Sequence, residues 1–454
     1  MSAYPWNRPN RAAVARVDGA PLREPAGWET AAAIVLLFML SGAIIGPVFA
    51  QDATGETPLL RLVWLPAYAV IAGLVVWRFK EMCRFWFPLL LALGLAGLAY
   101  ASKWWSIAPD VTSRRVIALA ITSVFAVWAA AVYPGRRLPQ MLTLTAFLMA
   151  IGSLLFIFLY PKVGVHHGVN DGLWRGMWFE KNQMGWVMVA GATAAAASLA
   201  SPGPGKKLAA ATWVLAAMLV LGTQSKTALL CLIGSTGLIA GLWALRKVGP
   251  GLAVVGVWLA VVVGGAALFV MISAPEVVLE ALGKDPTLTG RTHIWESLMR
   301  RVAERPLFGY GYSAFWGAHS VPAAFIRHET QWLVPSAHNG WLEILVELGW
   351  VGVASVAAVI VIGAVGTVFR LPVNGRAEGF WSAGYMVAFI VLSLSESVLM
   401  RHQSLPWVLF LIGFARVFAP SADPVVEPVL RRVHAARRAL VHAAPALARS
   451  RRAA

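Results

Sequence analysis

The chain has 454 residues, 59% of them hydrophobic and 13% charged, with a mean hydropathy of +0.69. A soluble domain is roughly 45–50% apolar and about 25% charged, so the composition excludes a soluble enzyme, a nucleic-acid-binding domain and a disordered scaffold. The charge is +17, from 38 basic and 21 acidic residues, and the basic residues stand at the ends of apolar runs, a pattern of membrane topology rather than of nucleic-acid binding.

A leader, residues 1–28, carries Arg8, Arg11, Arg16 and Arg23. Apolar runs follow at 29–50, 59–77, 85–101, 115–133, 138–160, 183–200, 208–223, 227–245, 252–274, 338–369, 380–396 and 404–419. A span needs about 20 residues, so these predict an all-α polytopic membrane protein of about twelve transmembrane helices. Nine fall within 29–274 and three within 338–419. Lipid obliges each span to satisfy its own backbone, and the period-2 alternation of a membrane barrel is missing. The first run ends Val48-Phe49-Ala50, which looks like a signal-peptidase site; its apolar core is longer than a signal peptide's, and it reads as a retained anchor. The run at 338–369 is long enough for a tilted span with extra turns.

Lysine and arginine set the orientation. Arg78, Lys80 and Arg84, then Arg136 and Arg137, Lys206 and Lys207, Arg246 and Lys247, and Arg370 and Arg376 all share the side of the leader. Positive charge marks the cytoplasm, so both termini are expected there. The basic tail, 420–454, sets Leu430, Val433, Leu440 and Val441 against Arg431, Arg432, Arg437 and Arg438. That pattern suits an amphipathic helix on an anionic leaflet, and equally an unstructured tail that only sets topology. Cys83 and Cys231 suggest neither a disulfide nor a metal framework. The cytoplasmic loops are short and hold no phosphate-binding loop of the G-x-x-x-x-G-K-[ST] kind.

Two outer loops, 161–182 and 275–337, are longer than topology needs, and such loops are often functional. In the second, periodicity predicts a surface helix over Arg291–Arg305, with Ile294, Trp295, Leu298 and Val302 on one face and Pro306 closing it; Gly309-Tyr310-Gly311 then reads as a turn. Ser336 reads as the N-cap of the following span, which puts His338 in its first turn, where the helix dipole favours neutral imidazole. Asn339, Glu343 and Glu347 recur at four-residue spacing on one face, and carboxylates there need partners or water. His338 can be a general base or merely cap the helix. Arg175, Lys181, Lys226, Arg291 and Arg401 place five cations where the positive-inside bias depletes them, with Asn182 and Glu396 nearby in the same outer segments. Each alone reads as a snorkelling residue; together they suggest an anionic ligand, and phosphate suits Arg and Lys. His166 and His167 read as loop residues, and no metal site is expected.

Five motifs carry a resemblance: Trp174-Arg-Gly with Glu180-Lys-Asn-Gln-Met-Gly185, Gln224-Ser-Lys-Thr-Ala-Leu229, Gly290-Arg-Thr-His-Ile-Trp295, Arg305-Pro-Leu-Phe-Gly-Tyr-Gly-Tyr312 and Ala337-His-Asn-Gly-Trp-Leu-Glu343. In this order and on one side, they resemble the O-antigen ligase/polymerase superfamily, most of all its ExoQ-type exopolysaccharide polymerases. The resemblance covers roughly 30–420. It implies a bacterial inner-membrane, GT-C-like glycosyltransferase with no cofactor or metal, acting on the periplasmic face on glycans carried by undecaprenyl diphosphate. The expected partners are that lipid-linked glycan and the bilayer, with a chain-length regulator and export machinery as further candidates and no nucleic acid. By the same resemblance Arg291 holds diphosphate, helped by Lys226 and Arg175, and His338 is the base or positions the acceptor hydroxyl. Glu343, Asn339, Lys181, Asn182 and Arg401 support them. Glu180 stands where His-Lys-Asn would be expected, and Lys226 where ligases often carry Arg. An O-antigen ligase or protein O-glycosyltransferase, a transporter of a lipid-linked or anionic solute, and a non-catalytic export partner are the alternatives.

Overall fold

A computed structural model describes residues 16–17, 20–21, 24–45, 58–168, 170–246, 291–371 and 374–419. The expected ninth span, the start of the long outer loop and the basic tail lie outside these residues, as does most of the leader. Within the leader, Arg16–Val17 and Ala20–Pro21 pair as a minimal antiparallel hairpin, an addition to the all-α expectation.

The described residues between Pro25 and Ala419 form a compact helical unit. Its main helices are α1 Gly27–Leu40, α2 Pro58–Trp77, α3 Trp86–Ala101, α4 Pro109–Val132, α5 Arg137–Leu159, α6 Lys181–Leu199, α7 Lys206–Thr223 and α8 Lys226–Leu245. After the undescribed stretch come α9 Arg291–Glu304, α10 Val321–Thr330, α11 Gly340–Arg370, α12 Arg376–Ser393 and α13 Leu405–Val417. Every apolar run read from the sequence, the ninth excepted, overlaps one of these helices, the first only as far as Leu40. Among the described residues, six are long and apolar enough to cross a membrane: α3 with its following turn, α4, α5, α7, α8 and α11. Their outer faces carry exposed Leu90, Ile117, Leu155, Ile233 and Val361. So much exposed apolar surface suits lipid and not water.

Helix α6 is the hub, packed against α5, α7, α8 and α12. Its sequence, Gly-Trp-Val-Met-Val-Ala-Gly-Ala-Thr-Ala, explains why. A Cβ on Gly191 would lie 2.3 Å from the Ala146 Cβ, and one on Gly185 would lie 2.8 Å from the Ala228 Cβ. Small residues let helix backbones approach closely, which replaces the hydrophobic drive that lipid cannot supply. At the end where the sequence puts the cytoplasm, two buried ion pairs brace the bundle. Arg78 grips Glu29 through Nε and Nη2, at 2.6 and 2.7 Å. Arg416 donates to both oxygens of Glu378, at 2.7 and 3.1 Å, and to the Ala130 carbonyl, while Glu378 also accepts the Gly135 N–H.

Helix α11 departs from the sequence reading. It is not one continuous span: Gly349 has φ +64° and ψ −164°, which breaks it. The freed backbone groups are satisfied by the Arg305–Tyr312 motif. Trp350 and Val351 donate their N–H groups to the carbonyls of Pro306 and Leu307, and the carbonyls of Val346 and Glu347 accept from Tyr310 and Gly311. Non-helical backbone at this depth is tolerated when protein buries and pairs it. Trp105, Thr112 and Arg115 clamp the same strap from the other side, through Phe308 O, Tyr312 O and Ser313. The predicted Gly309–Gly311 turn is present, both glycines having positive φ.

Helix α9 ends at Glu304, one residue short of expectation. Its apolar face is not turned to a membrane surface. Ile294, Leu298 and Val302 are buried with Tyr310, Phe315, Ile326, Val334 and Val346 in a second, outer core. The outer loop thus has its own packed interior, which fixes where Arg291 and His338 stand.

Candidate functional site

The site lies where the starts of α6, α9 and α11 meet the turn after α12. The Ala-His-Asn-Gly motif makes the tightest part. Asn339, not Ser336, is the N-cap: its Oδ1 accepts the N–H groups of Trp341 and Leu342, at 2.9 and 3.2 Å. His338 therefore precedes the helix instead of sitting in its first turn. It has φ +48°, a left-handed conformation that costs a non-glycine residue about 1–3 kcal/mol and marks functional sites. Gly340 is required by contact, since a Cβ there would lie 2.9 Å from Leu399 Cγ and 3.1 Å from Ser393 O. The motif is thus pressed onto the turn 393–399.

His338 is flanked by Trp332, whose ring stacks at 5.7 Å and 13°. Both its ring nitrogens are buried and have no hydrogen-bond partner. Burial, and then Arg291 and Arg401, hold its pKa down at about 4. The ring is accordingly neutral at pH 7 and has a lone pair to offer.

Glu396 organises the other groups. Its Oε1 accepts from Asn182 Nδ2 at 3.1 Å and faces Arg291 Nη2 at 3.8 Å. Its Oε2 lies 4.0 Å from His338 Nδ1. Burial pushes its pKa up to about 7, against the pull of Arg291, Arg401 and the Asn182 hydrogen bond. Arg291 donates through Nη1 to the Ser395 carbonyl at 2.9 Å, and Trp295 Nε1 donates to Ala337 O at 2.9 Å, so α9 is docked to both sides of the histidine. Glu343 Oε2 accepts from Ala337 N and Ser397 Oγ, at 2.8 and 2.9 Å, tying the approach to α11 to the turn after α12. Arg401 is exposed and forms no hydrogen bond or ion pair among the described residues. Its charge nonetheless acts on His338, Glu343 and Glu396.

A second cluster adjoins through Asn182. Arg175 spends its guanidinium on backbone carbonyls of Val163, Phe179 and Lys162, at 2.7, 3.5 and 3.3 Å, and so shapes the 161–180 loop. His166 Nε2 accepts the Lys181 N–H at 3.0 Å and lies 3.7 Å from Glu180 Oε2. Burial, with Arg175, Lys181 and His167, holds His166 at about 4. An imidazole therefore does stand beside Glu180-Lys181-Asn182, supplied from upstream. Lys226 opens α8 after the Ser225 N-cap and is exposed. It is neighbour to the start of α6, where Gly185 meets Ala228 and Ser225.

Arg291, His338, Asn339, Glu343, Asn182 and Arg401 are thus brought together. Arg175 and Lys181 sit in the adjoining cluster, and Lys226 stands at its edge. The sequence reading underrated Glu396. Its signal was a carboxylate set between two serines at the end of an apolar run, with Arg401 five residues on.

Residues 211–357 match the family described as O-antigen ligase. This stretch contains Lys226, Arg291, His338, Asn339 and Glu343. Over 338 residues, 71% of this chain and 74% of the relative, the sequence is 29% identical to the exopolysaccharide production protein ExoQ of Rhizobium meliloti (strain 1021). The resemblance read from the five motifs is borne out. The chain is thus similar to O-antigen ligases over residues 211–357, and it carries helices of membrane type.

Proposed function

On the premise of that likeness, we propose that the chain is a multi-pass inner-membrane glycosyltransferase. It polymerises undecaprenyl-diphosphate-linked oligosaccharide repeat units into exopolysaccharide or another surface polysaccharide on the periplasmic face. The observation that carries the reading is the convergence of Arg291, Arg401 and His338 around Glu396. Cations there meet a neutral, unpartnered imidazole at one end of an apolar bundle. About twelve spans, cytoplasmic termini and a periplasmic outer loop complete the arrangement.

The reaction needs a base for the acceptor hydroxyl and charge stabilisation for the departing diphosphate. The hydroxyl oxygen attacks the anomeric carbon and His338 takes its proton. The bond from that carbon to the diphosphate oxygen breaks with its electron pair going to oxygen. Arg291 neutralises the leaving group, with Arg401, Lys226 and Arg175 adding positive potential. A single displacement inverts the anomeric centre. No metal is required by this chemistry, because the leaving group is met by guanidinium groups. Apolar grooves between spans accommodate the polyprenyl chain.

The match to a family described as O-antigen ligase supports a second reading, transfer of finished glycan to a different acceptor. Both readings use the same donor site. The test is to express Arg291→Ala and His338→Ala singly and separate the lipid-linked intermediates. Accumulation of single repeat units in membranes that still contain the protein supports polymerisation. Accumulation of long lipid-linked chains points to ligation, and wild-type polymer in both variants refutes the site.

A further inference from the structure

Glu396 stands between the two groups that the reaction uses at different moments. One oxygen faces Arg291 Nη2 at 3.8 Å and the other faces His338 Nδ1 at 4.0 Å. Neither contact is closed to hydrogen-bond length. The carboxylate is anchored by the Asn182 amide at 3.1 Å, so it can turn toward either neighbour without leaving its place. Both Glu396 and His338 are largely screened from water, each with about a fifth of its side chain exposed. Arg291 keeps its Nη1 on the Ser395 carbonyl, which leaves Nη2 to choose between Glu396 and another anion.

We propose that Glu396 is a positioning residue that couples the diphosphate subsite to the base. It shares its charge with Arg291 until a diphosphate draws that guanidinium away, and it then accepts the Nδ1–H of His338. The inference rests on the polymerase reading and adds an order to it: donor first, base second.

The coupling follows from the groups that face the carboxylate. They are Arg291 from α9, Asn182 and Glu180 from the start of α6, His338 from the approach to α11, and Arg401 from its own turn. A diphosphate brings negative charge to Arg291 and Arg401, the two cations that oppose a proton on His338. The Nδ1–H bond to Glu396 fixes the tautomer whose Nε2 lone pair is free. Nε2 takes the acceptor hydroxyl proton as its oxygen forms the new bond to carbon. The resulting imidazolium is stabilised by Glu396, and its proton passes to water after the diphosphate leaves. This is the logic of a carboxylate that orients a histidine base. It also withholds the base until a donor is in place.

The test uses the full chain in lipid nanodiscs with 15N-labelled histidine, His338 being assigned by His338→Asn. Undecaprenyl diphosphate is the probe, and its binding is followed separately by tryptophan fluorescence. In the wild type at pH 8, adding the lipid makes the Nδ1–H tautomer of His338 the main one. Glu396→Gln still binds the lipid but shows no tautomer change, and its kcat falls about 10²-fold with little change in KM. Glu396→Asp, which keeps the charge, recovers part of the rate and of the tautomer change. Binding without any tautomer change in the wild type, or the same change in Glu396→Gln, overturns the coupling and leaves the polymerase reading standing. Failure of the lipid to bind overturns the reading and the coupling with it.

Discussion

Gly349→Ala tests whether the break in α11 holds the site together. Gly349 lies at φ +64° and ψ −164°, a region essentially reserved for glycine. An added Cβ would lie 2.2 Å from the carbonyl carbon of Leu307, 2.3 Å from its oxygen and 2.5 Å from Phe308 N. These are backbone atoms of the strap, so no flexible side chain can yield. Backbone strain costs about 1–3 kcal/mol and overpacking a further 1–3 kcal/mol, so the variant should lose about 2–6 kcal/mol. The loss concentrates on the outer core, because the strap there pairs with Val346, Glu347, Trp350 and Val351. Thermal unfolding in detergent should show a lower or split transition. Protease sensitivity should rise in the outer loop first, and polymer synthesis should fall although Arg291 and His338 are intact. Wild-type melting with wild-type polymer in Gly349→Ala would refute both the break and the strap's role in positioning the site.

Two further outcomes are expected. Glu378→Ala leaves the buried Arg416 guanidinium unpaired, a loss of about 3–5 kcal/mol that should appear as a lower melting temperature, with Glu378→Gln falling between it and the wild type. In pH dependence, the working state needs neutral His338 and ionised Glu396. Since burial holds the first at about 4 and pushes the second up to about 7, activity should rise as pH passes 7 and the carboxyl loses its proton. A rate profile in nanodiscs that is flat from pH 5.5 to 8.5 would contradict this.

Much of this architecture was legible in the chain itself. The spans were visible because a membrane helix must be continuously apolar and must close its own hydrogen bonds. Helix α9 was visible because Ile294, Leu298 and Val302 keep a helical period. The candidate site residues were legible too, since Arg291 and His338 stand in motifs, and five cations oppose a topological bias. What covers α9 could not be read, because periodicity gives an apolar face and not its partner. The N-cap was misassigned to Ser336 because both Ser336 and Asn339 have capping side chains. Local preference could not choose between them, whereas the close contact of Gly340 with Ser393 and Leu399 does.

The sequence by itself determined which segments are apolar and where cations collect, because those depend on composition over one stretch of chain. The break at Gly349, the loop clamp made by Arg175 and the meeting of Asn182, Arg291, His338 and Glu396 were decided only in three dimensions. They join residues as much as 214 positions apart, as Asn182 and Glu396 are. Proximity of that kind is set by how closely helices can pack, and here small residues on α6 and a glycine at the head of α11 decide that distance.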